Sequence, residues 1–333
     1  MNKQKPPLFE QAAIELAVII NSFNRLGLLR EALPSITQAL KHTLPKSAII
    51  IFEAGSTDGS IEFIEEFSAH TQELQIICLR PSEEIDTSFS AGCNFAVQFA
   101  AQKFPQLKWC FFFETDNLIK NQSALPLAVK LLEQEEKLAA VGFTIEQCDG
   151  SKAGFACRFP TPLSFLVGQQ ISRRFSLEKM SISHWYPFSE THWGICDIVF
   201  TSPLLVRYSA WLSVGGMDTE NFPFSDSDND WCWRVYKQGW RMAVLDVLGV
   251  IHDNQTQSSS WSANRVINFH QARLRLLVKH YGQWIVWLKP LLFVRHLLEF
   301  FLLIFTSLRS ERAKKSLRQR VTLTRTVFKD YQI

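Results

Sequence analysis

Paired cysteines are missing from this 333-residue sequence: the seven present, at 78, 93, 110, 148, 157, 196 and 232, are scattered, and no two form CxxC. That spacing argues against a zinc site and against a disulfide-framed secreted domain. The cysteines read as reduced thiols in a cytoplasmic protein. No GxGxxG follows any strand-like run, so a dinucleotide-dependent oxidoreductase fits poorly. Internal repeats and low-complexity stretches are also absent. The opening MNKQKPPLFEQ is polar and proline-containing, unlike a signal peptide. The most apolar stretch, 284–308, is broken by Lys289, Pro290, Arg295, His296 and Glu299. A spanning helix needs about 20 residues with few or no charges.

Core material, by contrast, is plentiful. Hydrophobic residues make up 47% of the chain and phenylalanine alone contributes 27, which excludes global disorder and allows one large domain with an appendage. The net charge of +3 hides a division. Residues 265–333 carry fourteen Lys and Arg against three acids, Glu299, Glu311 and Asp330. The preceding 264 residues carry 21 Lys and Arg against 29 acids. An acidic body followed by a basic tail suits a polyanion or an anionic membrane as partner of the tail. Because the tail is also apolar, lipid is favoured over nucleic acid.

Strand and helix patterns alternate from Leu16 onward. LAVIINS (16–22), SAIIIFE (47–53), LQIICL (74–79) and WCFFFE (109–114) read as short buried strands, with helical spacing over 26–42, 58–68 and 90–104. This predicts an α/β fold with a mostly parallel central sheet covered by helices on both faces. Segment 150–195 lacks a clear period and reads as loops. A strand over 197–206, a helix over 208–214, a glycine turn at 215–218 and a helix over 231–239 ending at Gly239 follow. The division expected is a tail at 1–14, the α/β domain at 15–258, and a basic, apolar helical region at 259–333. Within the last, 284–308 suits a helix lying in the membrane interface beside the basic segment 307–320. The alternative is a helical subdomain packed on the body.

Four places carry carboxylates or histidine where chemistry is done. Glu53 closes a strand before the turn AGSTDGS, in which Asp58 can cap the next helix; a carboxylate at such an edge can also accept from a nucleotide's base or ribose. Glu114 and Asp116 follow the apolar WCFFF, where one can bind ribose and the other a hard cation bridging a diphosphate. SDSDND (225–230) places Asp226, Asp228 and Asp230 within five residues, so mutual repulsion raises at least one pKa and suits it to removing a proton from an alcohol. His252 follows another apolar run. Taken singly, each also reads as a turn, a solvated strand end, a helix start or a structural histidine.

Taken in order, IINSFNR (19–25), EAGSTDGS (53–60), SAGCNFAV (90–97), ETDN (114–117), the block GGMDTENFPFSDSDNDWCWRVYKQGW (215–240) and His252 resemble glycosyltransferase family 2. That family has the GT-A fold and uses nucleotide-sugar donors. The resemblance spans roughly 15–255 and implies specific roles. Ser22, Phe23 and Glu53 would line the base pocket, Asn94 would serve the donor site, and Glu114 would contact ribose. Asp116 and His252 would hold Mn2+ or Mg2+. Asp228 would be the general base, with Asp226 the next candidate, and Arg234 would orient the acidic loop. Glu114 and Glu53 stand where aspartates are usual, Cys93 where many members have arginine, and Ser227 where a glutamate is usual. The expected function is inverting transfer of one sugar, a hexose or deoxyhexose, from a nucleoside diphosphate to a hydroxyl of a lipid-linked or other glycan acceptor. The work would serve surface-polysaccharide synthesis on the inner face of a bacterial membrane, with anionic lipids as partners. The alternatives are a catalytically weak sugar-nucleotide or glycan-binding relative, and a nucleotidyltransferase. The latter lacks its glycine-rich basic loop here, since INSFNRLG follows the first strand.

Overall fold

The computed structural model describes residues 13–41, 46–146, 150, 152–154, 156–175, 182–252, 263–307 and 311–326. The N-terminal part alternates as its sequence pattern predicts: β1 (Leu16–Ser22), α1 (Leu26–Lys41), β2 (Ser47–Glu53), α2 (Ser60–His70), β3 (Gln75–Leu79), α3 (Phe89–Lys103) and β4 (Trp109–Phe112). Strands that are apolar at every position must be covered on both faces, and these are. Leu16, Val18 and Ile20 of β1 enter one core with Ile49, Ile51, Trp109 and Phe111. Ala17 and Ile19 enter the other with Ile50, Phe52, Cys110 and Phe112. The period of two along each strand assigns the faces.

Beyond β4 the chain forms β5 (Asn117–Ile119), α4 (Ala124–Gln134), β6 (Leu138–Phe143), β7 (Ile145–Glu146) and β8 (Lys152–Gly154). Segment 150–195 is not all loop. It contains β8, α5 (Pro162–Val167), α6 (Gln169–Arg174), β9 (Tyr186–Phe188) and most of β10 (Thr191–Cys196). Elements this short present too few residues for a period to emerge. The strand expected at 197–206 is displaced: Ile198 makes only an isolated bridge with Cys157, and β11 begins at Leu204 and runs to Arg207. Pro203, which has no N–H to donate, separates the two parts. Next come α7 (Tyr208–Ser213), α8 (Ser227–Lys237), β12 (Arg241–Leu245) and β13 (Val250–His252). Gly239, at φ +94°, takes the left-handed position past the end of α8.

The central sheet runs β3-β2-β1-β4-β11-β6-β12-β10-β9. Its first four strands are parallel. β11 then inserts antiparallel between β4 and β6, and only β6 with β12 resumes parallel pairing. The sheet is therefore parallel in its N-terminal half and mixed across the rest. A second sheet, β5-β13-β7-β8, stands beside it.

The C-terminal chain is helical: α9 (Ala263–Tyr281), a 3₁₀ helix (Gln283–Leu288), α10 (Lys289–Ser307) and α11 (Glu311–Thr326). α9 packs on the body, with Ala272 and Leu276 against Phe222 and Trp233. Leu274, Leu277 and Val278 of the same helix join Phe165, Ile285 and Leu292 in a separate small core. Among the described residues, no helix is long and apolar enough to cross a membrane.

Candidate functional site

The carboxyl ends of the parallel strands form one edge, where open α/β sheets bind ligands. Two loops there are tied into a single rim. Asn24, after β1, donates its N–H to Ser56 Oγ (2.7 Å) and accepts from Thr57 N at 2.9 Å. Asp58 accepts at the starts of two helices: its Oδ2 takes the N–H of Leu26, which opens α1, at 3.0 Å, and its Oδ1 takes the N–H of Ser60, which opens α2, at 3.1 Å. Sequence order pointed to the nearer helix; the contact with the start of α1 is the addition that folding makes. Glu53 is buried, and its carboxylate folds back on its own turn. Oε2 accepts from the N–H groups of Gly55 and Ser56 at 3.0 Å each, and the Ser56 hydroxyl donates to Oε1. Ser22 is buried with no partner for its hydroxyl among the described residues. Phe23 beside it is 56% exposed, leaving a ring face open at the rim.

β5 and β13 explain how His252 reaches the end of β4. They pair antiparallel with His252 opposite Asn117. His252 Nδ1 lies 3.3 Å from Asp116 Oδ1 and 3.0 Å from Asn117 Oδ1. Asp116 Oδ1 is buried and accepts no hydrogen bond among the described residues. A desolvated carboxylate oxygen with no donor, next to an imidazole nitrogen, suits a divalent cation. No cluster of three or more His, Cys, Asp or Glu side chains converges as a metal cage among the described residues. Asp116 and His252 would thus hold a cation incompletely, with positions open to oxygens of a bound molecule. Glu114 takes a hydrogen bond from Thr201 Oγ1 at 3.1 Å. Burial, and then the neighbouring Asp116, push its carboxyl above the ordinary range.

The acidic cluster opens α8, and its three carboxylates have separate fates. Asp226, at φ +61°, accepts two hydrogen bonds from Arg273 of α9, from Nε and Nη2, each 2.9 Å. Asp230 is fully buried among three nitrogen donors: Arg234 Nε at 2.6 Å, Lys279 Nζ at 2.8 Å and His280 Nε2 at 2.9 Å. Burial works to raise the Asp230 carboxyl, but the His280 hydrogen bond, Arg234 and Lys279 outweigh it and hold it down at about 2. No basic side chain pairs with half-buried Asp228 among the described residues; it accepts only the N–H of Asn229, at 2.8 Å. Desolvation, then the negative charge of Asp226, and more weakly that of Glu114, push it up to about 7. Glu114 stands between the two halves of the site. It feels Asp116 and His252 on one side and acts on Asp228 on the other.

Two scaffolding contacts fix this arrangement. Arg234 also donates to the carbonyls of Val214 (2.6 Å) and Gly216 (2.7 Å), so it binds α8 to the glycine turn as expected of an orienting residue. Asn94, expected at the donor site, is engaged within the fold. Its amide is taken by both backbone groups of Met217, donating at 2.8 Å and accepting at 2.9 Å. It suspends the 215–218 turn from α3.

The residues missed from sequence are Arg273, Lys279 and His280. They lie 47 to 50 positions after the acidic-cluster residues they bind, in a stretch read as a membrane-facing tail. Their spacing held a signal: 273 and 280 are two helical turns apart on one face, with Leu276 and Leu277 between them.

Comparison with known proteins bears on this geometry. The family model described as Glycosyltransferase like family 2 matches residues 13–267. Among solved structures, a mannosyltransferase from Pyrobaculum calidifontis, PcManGT, in complex with GDP-Man and Mn2+, superposes with TM-score 0.53 at 14% identity, covering 93% of this chain and 84% of its own. GalNAc-T7, with UDP, GalNAc and Mn2+, superposes with TM-score 0.50 at 11% identity, covering 80% of this chain and 48% of its own. No curated protein sequence matches the chain. At these identities the structural likeness establishes a shared fold, an α/β architecture of the GT-A kind.

Proposed function

Since the chain belongs to the glycosyltransferase family 2-like group and is a glycosyltransferase, we propose that it moves one sugar, with inversion, from a nucleoside-diphosphate donor to an acceptor hydroxyl. In this reading the acceptor is a lipid-linked or other glycan at the inner face of the cell membrane, in the making of surface polysaccharide. The observation that carries the chemistry is the isolation of Asp228. Of three neighbouring carboxylates, Arg273 neutralises one, and Arg234, Lys279 and His280 hold another. Only Asp228 combines partial exposure with a pKa raised to about 7. A general base works best with a pKa near the working pH.

Asp228 takes the proton of the acceptor hydroxyl as that oxygen bonds to the anomeric carbon. The bond from that carbon to the diphosphate oxygen breaks in the same displacement, so the configuration inverts and the nucleoside diphosphate leaves with the electron pair. Phe23 stacks on the base, and Ser22 lies below it at the end of β1. Glu53 shapes the pocket indirectly, by fixing the turn whose amides it accepts from. Glu114 accepts from a ribose hydroxyl. Asp116 and His252 hold a divalent cation, which when bound would offset the charge of the diphosphate; the imidazole ligand favours Mn2+ over Mg2+.

The two neighbours solved with Mn2+ and nucleotide ligands support the nucleotide-sugar part of this proposal by analogy of fold. Its test is donor turnover. The full chain is incubated with a panel of nucleoside-diphosphate sugars and Mn2+, and release of nucleoside diphosphate is followed alongside thermal shift. Cation-dependent release from at least one donor is the expected result. No release, together with no stabilisation by any nucleoside diphosphate, overturns the proposal.

A further inference from the structure

Helix α10 is built inside out. Its ionisable side chains are Lys289, Arg295, His296 and Glu299, and none is exposed. His296 is 1% exposed. Arg295 donates to the carbonyl of Leu166 at 3.1 Å. Arg320 of α11 pairs with Glu299 and donates to His296 Nδ1 at 2.8 Å. Meanwhile every exposed position from 284 to 304 is apolar or proline. Trp287, Leu291, Val294, Leu298, Phe301 and Leu302 recur at steps of three and four, and Trp287 is 81% exposed. The fifteen steps from 287 to 302, at about 1.5 Å each, make a stripe about 22 Å long.

A helix bathed in water would have the opposite arrangement. Burying ions costs several kcal/mol each before pairing offsets it, and contiguous exposed apolar surface of this extent marks an interaction site. The face therefore meets something apolar. We propose that the exposed face of the 3₁₀ helix and α10 seats the protein on the surface of an anionic bilayer. Charge selects this occupant over a second copy of the chain. The 265–333 segment carries fourteen Lys and Arg against three acids, and Lys314, Arg318 and Arg325 are exposed on α11, which packs beside α10. Two such surfaces repel each other, whereas anionic headgroups attract them. Tryptophans 284 and 287 at one end of the stripe are the residues that settle at headgroup level. The helix lies on the surface and does not cross it, because its other face is occupied by protein.

The seat is close to the chemistry. His280 contacts Asp230, and Trp287 follows seven residues later, within about 25 Å even for extended chain. A corollary, which alone rests on the glycosyl-transfer reading, is that the acceptor is presented from that same surface by a lipid anchor.

The test is flotation of the full chain with vesicles of phosphatidylglycerol and phosphatidylcholine, against pure phosphatidylcholine, with Trp287→Glu/Leu298→Glu and Lys314→Glu/Arg318→Glu variants alongside. Wild type should float with the anionic vesicles, and each double variant should partition about tenfold or more weakly. Donor turnover and thermal melting in solution should match wild type, because none of these residues lies in the reaction centre. Retained turnover with lost flotation thus separates docking from catalysis. Failure of wild type to float, or equal flotation of the apolar variant, overturns the proposal. So does a dimer by light scattering that the apolar variant dissociates while wild type leaves vesicles bare; the face would then join two copies.

Discussion

Arg273 grips Asp226 through two hydrogen bonds of 2.9 Å across 47 residues of sequence. One consequence is that Asp226, whose charge helps to raise the Asp228 carboxyl, is itself held from a helix outside every local motif. Replacing Arg273 by Met strips the partner from a carboxylate that is 2% exposed. Breaking a buried pair in this way costs about 3–5 kcal/mol, so the melting temperature should fall. Asp226 then repels Asp228 more strongly, and the acid limb of the pH–rate profile should move above pH 7. A purely structural role would lower stability and leave that limb in place. Arg273→Lys should restore part of the original profile.

Asp228→Asn should lower kcat by about 10²–10⁴-fold, the usual contribution of general base catalysis, while the affinity for nucleoside diphosphate stays unchanged. In wild type, kcat/KM should rise with pH up to about 7 and level off above it, since only the ionised carboxylate accepts a proton. Stability should run the other way. The folded pKa of about 7 lies above the ordinary 3.8, so ionisation disfavours the folded state progressively from about pH 4 to pH 7. A neutral amide in place of the carboxylate removes that loss. The Asp228→Asn variant should therefore melt higher at pH 8, by a few kcal/mol at most, given about 1.4 kcal/mol per pKa unit. A variant no more stable than wild type at pH 8 would contradict the raised pKa.

Asp116→Asn and His252→Ala remove the two donors that meet at 3.3 Å. Mn2+ binding followed by electron paramagnetic resonance should weaken in both variants. The extra thermal stabilisation that Mn2+ gives in the presence of nucleoside diphosphate should disappear. Equal Mn2+ binding by wild type and both variants would place the cation elsewhere.

Gly216 sits at φ +78°, and a Cβ there would lie 2.5 Å from Asn94 Oδ1. Gly216→Ala should destabilise the fold by about 1–3 kcal/mol through backbone strain and the displaced Asn94 clamp. Asn94→Leu should damage the same turn. Turnover should fall in both while the pH profile holds its shape, because the turn positions α8 without charging it. Thermal unfolding and a pH–rate series check both points.

The N-terminal half of the fold was legible because β1, β2 and β4 are apolar at nearly every position and the helices between them keep a clear period. Gly239 was readable for a local reason, the need for a left-handed residue after α8. The insertion of β11 between β4 and β6 was not, because strand order is a long-range property that no local pattern encodes. In the candidate site, the meeting of Asp116 and His252 was anticipated from the resemblance and is realised through β5 and β13. Asn94 was assigned to the donor from its motif alone, whereas its amide geometry ties it to Met217. The resemblance ranked Asp228 ahead of Asp226, and the docking of α9 supplies a physical difference, since Arg273 pairs with Asp226. The apolar run at 284–308 raised two alternatives, a packed subdomain or a membrane-facing helix. The structure packs the charged side of α10 inward, as in a subdomain, and leaves its apolar side exposed, the side for which a bilayer is proposed.

The docking of α9 means that the borders of the recognisable motifs are not the borders of the working unit. A shortened protein ending near residue 264 would retain ETDN, the acidic cluster and His252, yet Asp226 would lose Arg273, and Asp230 would keep Arg234 but lose Lys279 and His280. Grafting this candidate site onto another scaffold would meet the same obstacle unless the helix carrying Arg273 and His280 travelled with it.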